Sequence, residues 1–297
     1  MSKVFSPSQM SAWTQCGTLR SLRNEGWVPR RADARNFAAW VGSGVAEGLS
    51  IWNTQRAKGE EGNPCKVTAP IDEMVEVASQ EVQDQMTRFL EAGGMLVEED
   101  YLTSVKNIRP FLELATDHDP LGAWTIDCAE CELGEAYGNA RCDLFGKDED
   151  GVWSVLDYKC TTNLQARWVQ SRLDSELYGN QSEFYTWGMR NVRQVDVARF
   201  YILLLILRPQ PRVVMEYREI DLELQGQWLK SAQDQWTLMS LEDEGLRTPS
   251  RNGDHATKFG PCTFREACLY QKQDRILMQT DYIQVPRKEK KHVNQKV

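Results

Sequence analysis

The sequence predicts an α/β fold in which a central mixed β-sheet is flanked by helices and preceded by a helical N-terminal region. Apolar residues recur at helical spacing through most of the first 120 residues. Beyond them, short segments rich in Trp, Val, Ile and Leu alternate with Gly- and Asp-rich breaks, a pattern typical of strands. One helical segment interrupts these strands and another follows them.

The N-terminal part is predicted to contain several helices. They cover about 7–24, 33–58, 71–92 and 95–116. Ser6 or Ser8 can cap the first of them, and Gly93-Gly94 ends the third. This part is therefore mainly helical.

The second part is predicted to form the sheet. Strands are expected at about 123–133, 138–146, 152–158, 196–207 and 212–220, with helices at 175–191 and 221–244. We predict a single domain over 1–285, with a helical part to about residue 120, an α/β core over about 121–245 and a basic tail at 286–297.

The composition is that of an ordered protein, with 41% hydrophobic and 26% charged residues. No apolar run approaches the ~18 residues that span a bilayer. The first residues also lack the apolar core of a secretory signal. These features predict a cytoplasmic location away from membranes, where the eight cysteines should mostly be thiols, buried residues or metal ligands.

The net charge of −8 argues against a surface that coats DNA, because non-specific affinity comes from Lys and Arg that neutralise phosphates. A local basic track is still compatible with it. The candidate DNA-binding residues are Arg20, Arg23, Arg30 and Arg31, with Trp27 as a stacking surface for unpaired bases. Solvated surface charge explains these arginines equally well.

The most informative segment contains Asp143 and, after a predicted hairpin, Asp157-Tyr-Lys159. Side chains alternate along a strand, so Asp157 and Lys159 should project to one side. The hairpin can bring Asp143 beside Asp157. Paired carboxylates repel unless a cation lies between them, and oxygen ligands with vacant positions suit Mg²⁺ or Mn²⁺. The alternative is that all three are ordinary turn, edge-strand and surface residues.

This constellation favours phosphodiester hydrolysis. A metal lowers the pKa of its bound water and offsets charge on the phosphate. A nearby lysine can position or deprotonate that water, and Lys159 is the candidate.

The pattern resembles the PD-(D/E)XK nucleases, and within them the RecB-like exonuclease branch. That branch follows its Asp-x-Lys strand with a helix bearing Gln-x3-Tyr, which Gln181 and Tyr185 match on one helical face. The resemblance implies a restriction-endonuclease-like fold and a DNA exonuclease acting on ends or single strands. Recombination, repair or phage DNA processing would be its setting, with a recombination or single-strand-binding protein as partner.

The resemblance also covers the N-terminal part. Ser6-Pro-Ser8, followed by Cys16, matches the Ser-x-Ser element of the branch. The Gly-x-x-x-His element is altered, because Ala46 stands where the metal-binding His is expected. The metal would then rest on Asp143, Asp157, a backbone carbonyl and, as a substitute ligand, Glu47. The alternative for Glu47 is a solvent-facing helical glutamate.

Some members of the branch hold an iron–sulfur cluster with one N-terminal and three C-terminal cysteines. This chain offers Cys16, Cys262 and Cys268, and the third C-terminal cysteine is missing. His255 could complete a Cys3His site that would suit zinc or an atypical cluster. The alternative is a relic in which packed thiols replaced the metal.

Cys128 and Cys131 are predicted to be buried thiols, because positions three apart on a strand face opposite ways. Cys142 and Cys160 are predicted to be core residues. Glu130 or Glu132, on the strand of the first pair, is a candidate accessory ligand.

Two other functions remain open. The loss of the His at Ala46 and the incomplete cysteine set favour a catalytically impaired DNA-binding or scaffold subunit of the same fold. A nuclease that acts on RNA would share the same residues.

Overall fold

A computed structural model describes residues 4–32, 34–57, 68–138, 140–249, 256–257, 260–261, 264 and 281–286. The N-terminal part consists of α1 (Pro7–Gln15), α2 (Gly17–Asn24), β1 (Trp27–Pro29), α3 (Ala34–Ala57), α4 (Ile71–Glu91), α5 (Glu98–Val105) and α6 (Ile108–His118). Helix α1 begins at Pro7 because Ser6 and Gln9 form a capping box.

The second part provides the sheet and its covering helices. These elements are β2 (Thr125–Glu132), β3 (Arg141–Lys147), β4 (Trp153–Thr161), α7 (Val169–Leu177), α8 (Asn180–Arg193), β5 (Arg199–Ile206), β6 (Arg212–Glu219) and α9 (Leu222–Asp243). Short strands follow at β7 (Ala256–Thr257), β8 (Gly260–Pro261) and β9 (Tyr282–Gln284). Helix α9 begins where Asp221 accepts hydrogen bonds from the amides of Glu223 and Leu224.

The central sheet has the order β2-β3-β4-β5-β6. Neighbouring strands are antiparallel except for the parallel pair β4–β5. A parallel pair needs a long crossover, which α7 and α8 supply. The predicted mixed sheet flanked by helices is therefore confirmed.

Each face of the sheet has its own core. Leu156 and Tyr201 pack with residues of α3, α4 and α6, whereas Val155 and Phe200 pack with residues of α1, α7, α8 and α9. This division follows from the alternation of side chains along β4 and β5. The face that bears α8 also carries the candidate site.

Helices α3 and α4 approach each other closely at two glycines of α3. A Cβ on Gly44 would lie 2.6 Å from the carbonyl oxygen of Ala78, and one on Gly48 would lie 2.8 Å from that of Met74. Only glycine fits at this distance. The packing therefore fixes the position of α3 beside the sheet.

The predicted helices and strands agree with the structure except at several breaks. The helix predicted over 7–24 is interrupted at Cys16, and that over 95–116 is interrupted at 106–107. The crossover contains α7 and α8 rather than one helix. None of the helices in the described ranges is long and apolar enough to cross a membrane. The predicted basic tail lies outside the described residues, apart from its first position.

Two strand pairings were not predicted, the local one between β7 and β8 and a long-range one. Strand β1 pairs antiparallel with β9, which joins the N-terminal region to residues near the other end of the chain. Leu19, Phe264 and Tyr282 form a small core beside this pair, and Cys16 packs against it.

The prediction of thiols at Cys128 and Cys131 is wrong, since their sulfurs form a disulfide. Strand β2 has a register shift between Ile126 and Cys128. Glu130, between the two cysteines, has a left-handed φ of 51°. The regular alternation of side chains is therefore lost here, and both sulfurs can meet. Cys142 is buried and Cys160 half-buried, and both pack in the cores as expected.

The prediction that Arg20 binds DNA is also wrong. Its side chain is only 1% exposed and pairs with Glu242 and Asp243 of α9. Its guanidinium also lies 4.7 Å from the ring centre of Phe5. Arg20 therefore connects α2 to α9 inside the protein and cannot reach a phosphate from this position.

We expect Arg20→Met to lower the free energy of unfolding by ~3–5 kcal/mol, because it leaves the buried carboxylate of Glu242 without its cation. Urea denaturation measures this loss. Lys230→Met is the control, since Lys230 is an exposed residue of α9 and its loss should cost under ~0.5 kcal/mol. Equal stability of the two variants would contradict the structural role of Arg20.

Candidate active site

Strand β4 presents Asp157 and Lys159 to the face covered by α8. Tyr158, the residue between them, points to the opposite face of the sheet. There its hydroxyl accepts a hydrogen bond from Asn53 of α3 at 2.8 Å. The expected alternation is therefore present. Asp157 is 3% exposed and Lys159 is partly buried, so both groups lie below the surface.

Asp143 lies where strands β3 and β4 separate. Their pairing runs from Lys147–Trp153 to Leu144–Leu156 and then stops. Beyond this point the amide of Tyr158 donates to Oδ2 of Asp143 at 2.7 Å, in place of a backbone carbonyl. The separation of the strands thus makes room for a carboxylate beside Asp157.

Gln181, in the first turn of α8, connects these groups. Its Oε1 accepts a hydrogen bond from Nζ of Lys159 at 3.2 Å, and its Nε2 donates to Oδ1 of Asp157 at 2.7 Å. The same Nε2 lies 3.3 Å from the hydroxyl oxygen of Tyr185, one helical turn later. The structure therefore brings Asp157, Lys159, Gln181 and Tyr185 into one network.

Lys159 also forms a short ion pair with Oδ2 of Asp157. Burial alone would lower the pKa of Lys159, but Asp157, Glu176 and Asp143 raise it above its ordinary value. Lys159 is therefore a charged ammonium that compensates a buried carboxylate.

The carboxylates are held in an unfavourable environment. Burial, followed by repulsion from Asp157, raises the pKa of Asp143 to about 7. Burial likewise raises the pKa of Asp157, although Lys159 opposes the shift. Two buried acids that repel each other are the environment that a divalent cation stabilises.

Glu47 lies on α3 at the edge of this cluster. Its Oε1 accepts a hydrogen bond from Nη2 of Arg141 at 3.0 Å. Glu130 forms a short ion pair with Nε of the same arginine. Burial and then the charge of Asp143 raise the pKa of Glu130 to about 8. Of the two candidate accessory carboxylates, Glu130 lies in this cluster and Glu132 is exposed, and a ligand role for either stays a prediction.

Arg141 is the member of the cluster that the sequence did not single out. It lies two residues before Asp143 on β3, and that spacing is the signal that could have identified it. Its guanidinium joins α3 to β2 across the edge of the site.

The donor chemistry of the site fits Mg²⁺ or Mn²⁺, since the acidic groups offer hard oxygen atoms. In the described part of the chain, however, no three Asp, Glu, His or Cys side chains converge as a ligand set. Lys159 engages Asp157, and Arg141 engages Glu47. A cation therefore requires these contacts to rearrange, and the predicted ligand set of Asp143, Asp157 and Glu47 stays a prediction.

A cavity of about 420 Å³ lies beside the network. Ser6 and Ser8 of the Ser-x-Ser element, Arg141, Gln181 and Tyr185 are among its lining residues. The beginnings of α1, α8 and β3 thus meet around one space. This cavity is the candidate substrate pocket.

The other candidate DNA-binding residues lie elsewhere. Arg23 and Arg31 are exposed, and Arg30 is half-buried. The indole of Trp27 packs beside the small core of Leu19 and donates to Glu25 at 3.1 Å. Among the described residues, those that line the pocket include none of these four. Their role stays a prediction.

The candidate cysteine site is only partly visible. Cys16 lies between α1 and α2 and packs near Phe264. His255, Cys262 and Cys268 lie outside the described residues. The predicted iron–sulfur cluster or zinc therefore also stays a prediction.

Comparison with known proteins gives one kind of match. No family model matches the chain, and no curated protein matches it. Among solved structures, it is similar to a "Putative exonuclease" from Eubacterium rectale, with a TM-score of 0.50 and 14% identity over 91% of this chain and 88% of the other. At this identity the likeness shows a common fold.

We expect the metal-free protein to lose stability as pH rises from about 4 to about 8. The folded state raises the pKa of Asp143 from 3.8 to about 7, so it binds that proton more tightly than the unfolded chain. This stability is complete below the unfolded pKa and is lost as pH rises through the folded pKa. The pKa of Asp148 is lowered, so this residue changes the stability of the protein only at pH values below this window.

Chemical denaturation in EDTA at several pH values measures this slope. Asp143→Asn keeps an acceptor for the amide of Tyr158 and should make the slope of stability against pH shallower. Mn²⁺ added at pH 8 should stabilise the wild type more than this variant. A wild-type stability that rises across the window would contradict the assignment of a strained acid pair.

Proposed function

We propose that this chain is a metal-dependent DNA nuclease of the PD-(D/E)XK superfamily, in its RecB-like exonuclease branch. The observation that carries the proposal is the network in which Gln181 bridges Asp157 and Lys159, with Asp143 beside them. Geometry of this kind is needed for hydrolysis, because the nucleophile, proton acceptor and charge-stabilising groups must converge. The exonuclease name of the structural neighbour is in agreement.

Each residue has a distinct role. Asp143 and Asp157 would hold Mg²⁺ or Mn²⁺, which when bound supplies an acidic water and charge stabilisation on the phosphate. Lys159, once released from Asp157, would position the attacking water and, as an ammonium, stabilise the negative charge that develops on the phosphate. Gln181 would keep the ammonium of Lys159 in place, and Tyr185 would orient the amide of Gln181.

The pocket supports a substrate that reaches buried groups. Asp157 lies below the surface, and the cavity beside it has a volume of about 420 Å³. An unpaired strand or strand end can enter such a recess, which agrees with exonuclease action in recombination, repair or phage DNA processing. A recombination or single-strand-binding protein as partner is a prediction that follows from this role.

A second function is favoured by specific observations. Ala46 supplies no ligand, Glu47 is held by Arg141, and Lys159 is paired with Asp157. If these contacts persist on substrate binding, the protein binds DNA without cutting it and acts as a scaffold subunit.

We expect purified protein to cut labelled single-stranded DNA with Mn²⁺ and to stop when EDTA is added. Lys159→Ala and Asp157→Ala should each reduce the rate by ~10²–10⁴-fold, because each removes a group that acts in the transition state. Gel electrophoresis of the products measures the rate and shows whether cleavage begins at ends.

The control for these variants is Lys147→Ala, which changes an exposed lysine at the far end of β3. Binding without cleavage in the wild type, unchanged by Lys159→Ala, would reject the nuclease and support the scaffold. Preferential turnover of labelled RNA would instead identify an RNA-directed nuclease.

Glu47 provides a separate test of the ligand set. If Glu47 replaces the missing His, we expect Glu47→Gln to raise the Mn²⁺ concentration for half-maximal activity ~10–100-fold. Gln keeps a hydrogen-bond acceptor for Arg141 and removes only the charge. Glu132→Gln, at an exposed position of β2, is the control. An unchanged Mn²⁺ requirement would leave Asp143 and Asp157 as the acidic ligands.

A further inference from the structure

Tyr178 lies at the junction of α7 and α8, directly before the pocket. The next three residues, Gly179, Asn180 and Gln181, all line the cavity. The ring of Tyr178 is not buried with them, since the residue is 70% exposed. An exposed aromatic residue therefore directly precedes three residues that line the candidate substrate pocket.

Arg218 of β6 holds this ring from one side. Its guanidinium carbon lies 5.2 Å from the ring centre of Tyr178. The guanidinium is itself fixed by a hydrogen bond to the carbonyl of Leu177 at 3.2 Å and by a short ion pair with Glu183. Arg218 is 10% exposed, so it has little freedom to move. One face of the ring is thus covered and the ring is held in place.

An exposed aromatic residue is common on protein surfaces, so exposure alone decides nothing. The combination at Tyr178 is more specific. The ring is held by a buried arginine, and the residues that follow Tyr178 line a pocket next to paired acids and a lysine. Bases of an unpaired strand stack on aromatic rings of this kind, and arginine contributes to such platforms.

Tyr178 also lies close to the network along the chain. Two residues separate it from Gln181, so their Cα atoms lie within ~11 Å of each other at most. A stacked strand, which rises ~3.4 Å per nucleotide, can cover such a span in three steps or fewer. None of the described side chains caps the start of α8. Its first amides can therefore donate hydrogen bonds to a phosphate in the pocket between base and network.

We infer that Tyr178 is a stacking platform for an unpaired base of single-stranded DNA that enters the pocket. This inference rests on the proposed function, since it assigns a substrate contact to the same site. Bases inside an intact duplex are stacked on their neighbours and cannot use this ring. Tyr178 would therefore favour unpaired strands over duplex.

The test measures binding of a labelled single-stranded oligonucleotide by fluorescence anisotropy. Ca²⁺ is present because it takes the same oxygen ligands as Mg²⁺, and a denaturing gel verifies that the probe stays intact. We expect Tyr178→Ala to weaken binding ~5–150-fold, the range for loss of one base–aromatic stack. Tyr178→Trp should retain wild-type affinity.

Tyr217→Ala is the matched control. Tyr217 is 47% exposed and also lies under an arginine, with the guanidinium carbon of Arg199 at 4.7 Å from its ring centre. It packs on Tyr201, whose core lies on the sheet face opposite the site. Its substitution should leave binding unchanged.

A probe of the same length without bases isolates the stacking interaction. Tyr178→Ala should make no difference to its binding, and none to an intact blunt duplex. The inference is overturned if Tyr178→Ala binds the normal strand as the wild type does, or if Tyr217→Ala weakens binding equally. It is also overturned if Tyr178→Ala weakens binding of the probe without bases, or if the wild type binds no single strand.

The result is separable from that of the cleavage assay. Cleavage by the wild type with an unaffected Tyr178→Ala variant would reject the platform and keep the nuclease. Weakened binding by Tyr178→Ala in a protein that never cuts would keep the platform and reject the nuclease.

Discussion

The structure depends on the burial of charge where strands β3 and β4 separate. Asp157 is buried and Asp143 is half-buried, and burial raises the pKa of each. Unpaired buried charges are costly, so such groups persist only where cations or hydrogen bonds compensate them. Lys159 and Gln181 provide that compensation from β4 and α8. The site therefore forms only if α8 lies over the sheet, where Gln181 reaches Asp157.

The fold secures α8 through its inward side. Glu183 pairs with Arg218 of β6, and Arg190 donates to the carbonyl of Val197, just before β5. Breaking such buried pairs is expensive because one charge remains uncompensated. The helix that carries Gln181 and Tyr185 is thus fixed by residues that do not face the pocket. Arg218 serves both purposes, since it anchors α8 and holds the ring of Tyr178.

The sequence was sufficient for those features that depend on local pattern. Strand alternation predicted the common side of Asp157 and Lys159, and helical spacing predicted that Gln181 and Tyr185 act together. Other features depend on contacts between distant residues. The pairing of β1 with β9, the burial of Arg20 and the Arg141 bridge between Glu47 and Glu130 have no local signature. The disulfide was missed because Glu130 interrupts the alternation on which the prediction relied.

Ala46 brings no charge to the site, so the charge balance of the site rests on other residues. Glu47, Glu130, Asp143 and Asp157 are four acids that influence one another, and Arg141 and Lys159 are two cations among them. Glu176 nearby is paired with Arg172. Four negative and two positive charges leave two negative charges, the amount that one divalent cation balances. Without it, the raised pKa of Asp143 and Glu130 means that protons balance part of that charge. Arg141 thus compensates the carboxylates at the α3 edge and leaves the remaining charge to Asp143 and Asp157.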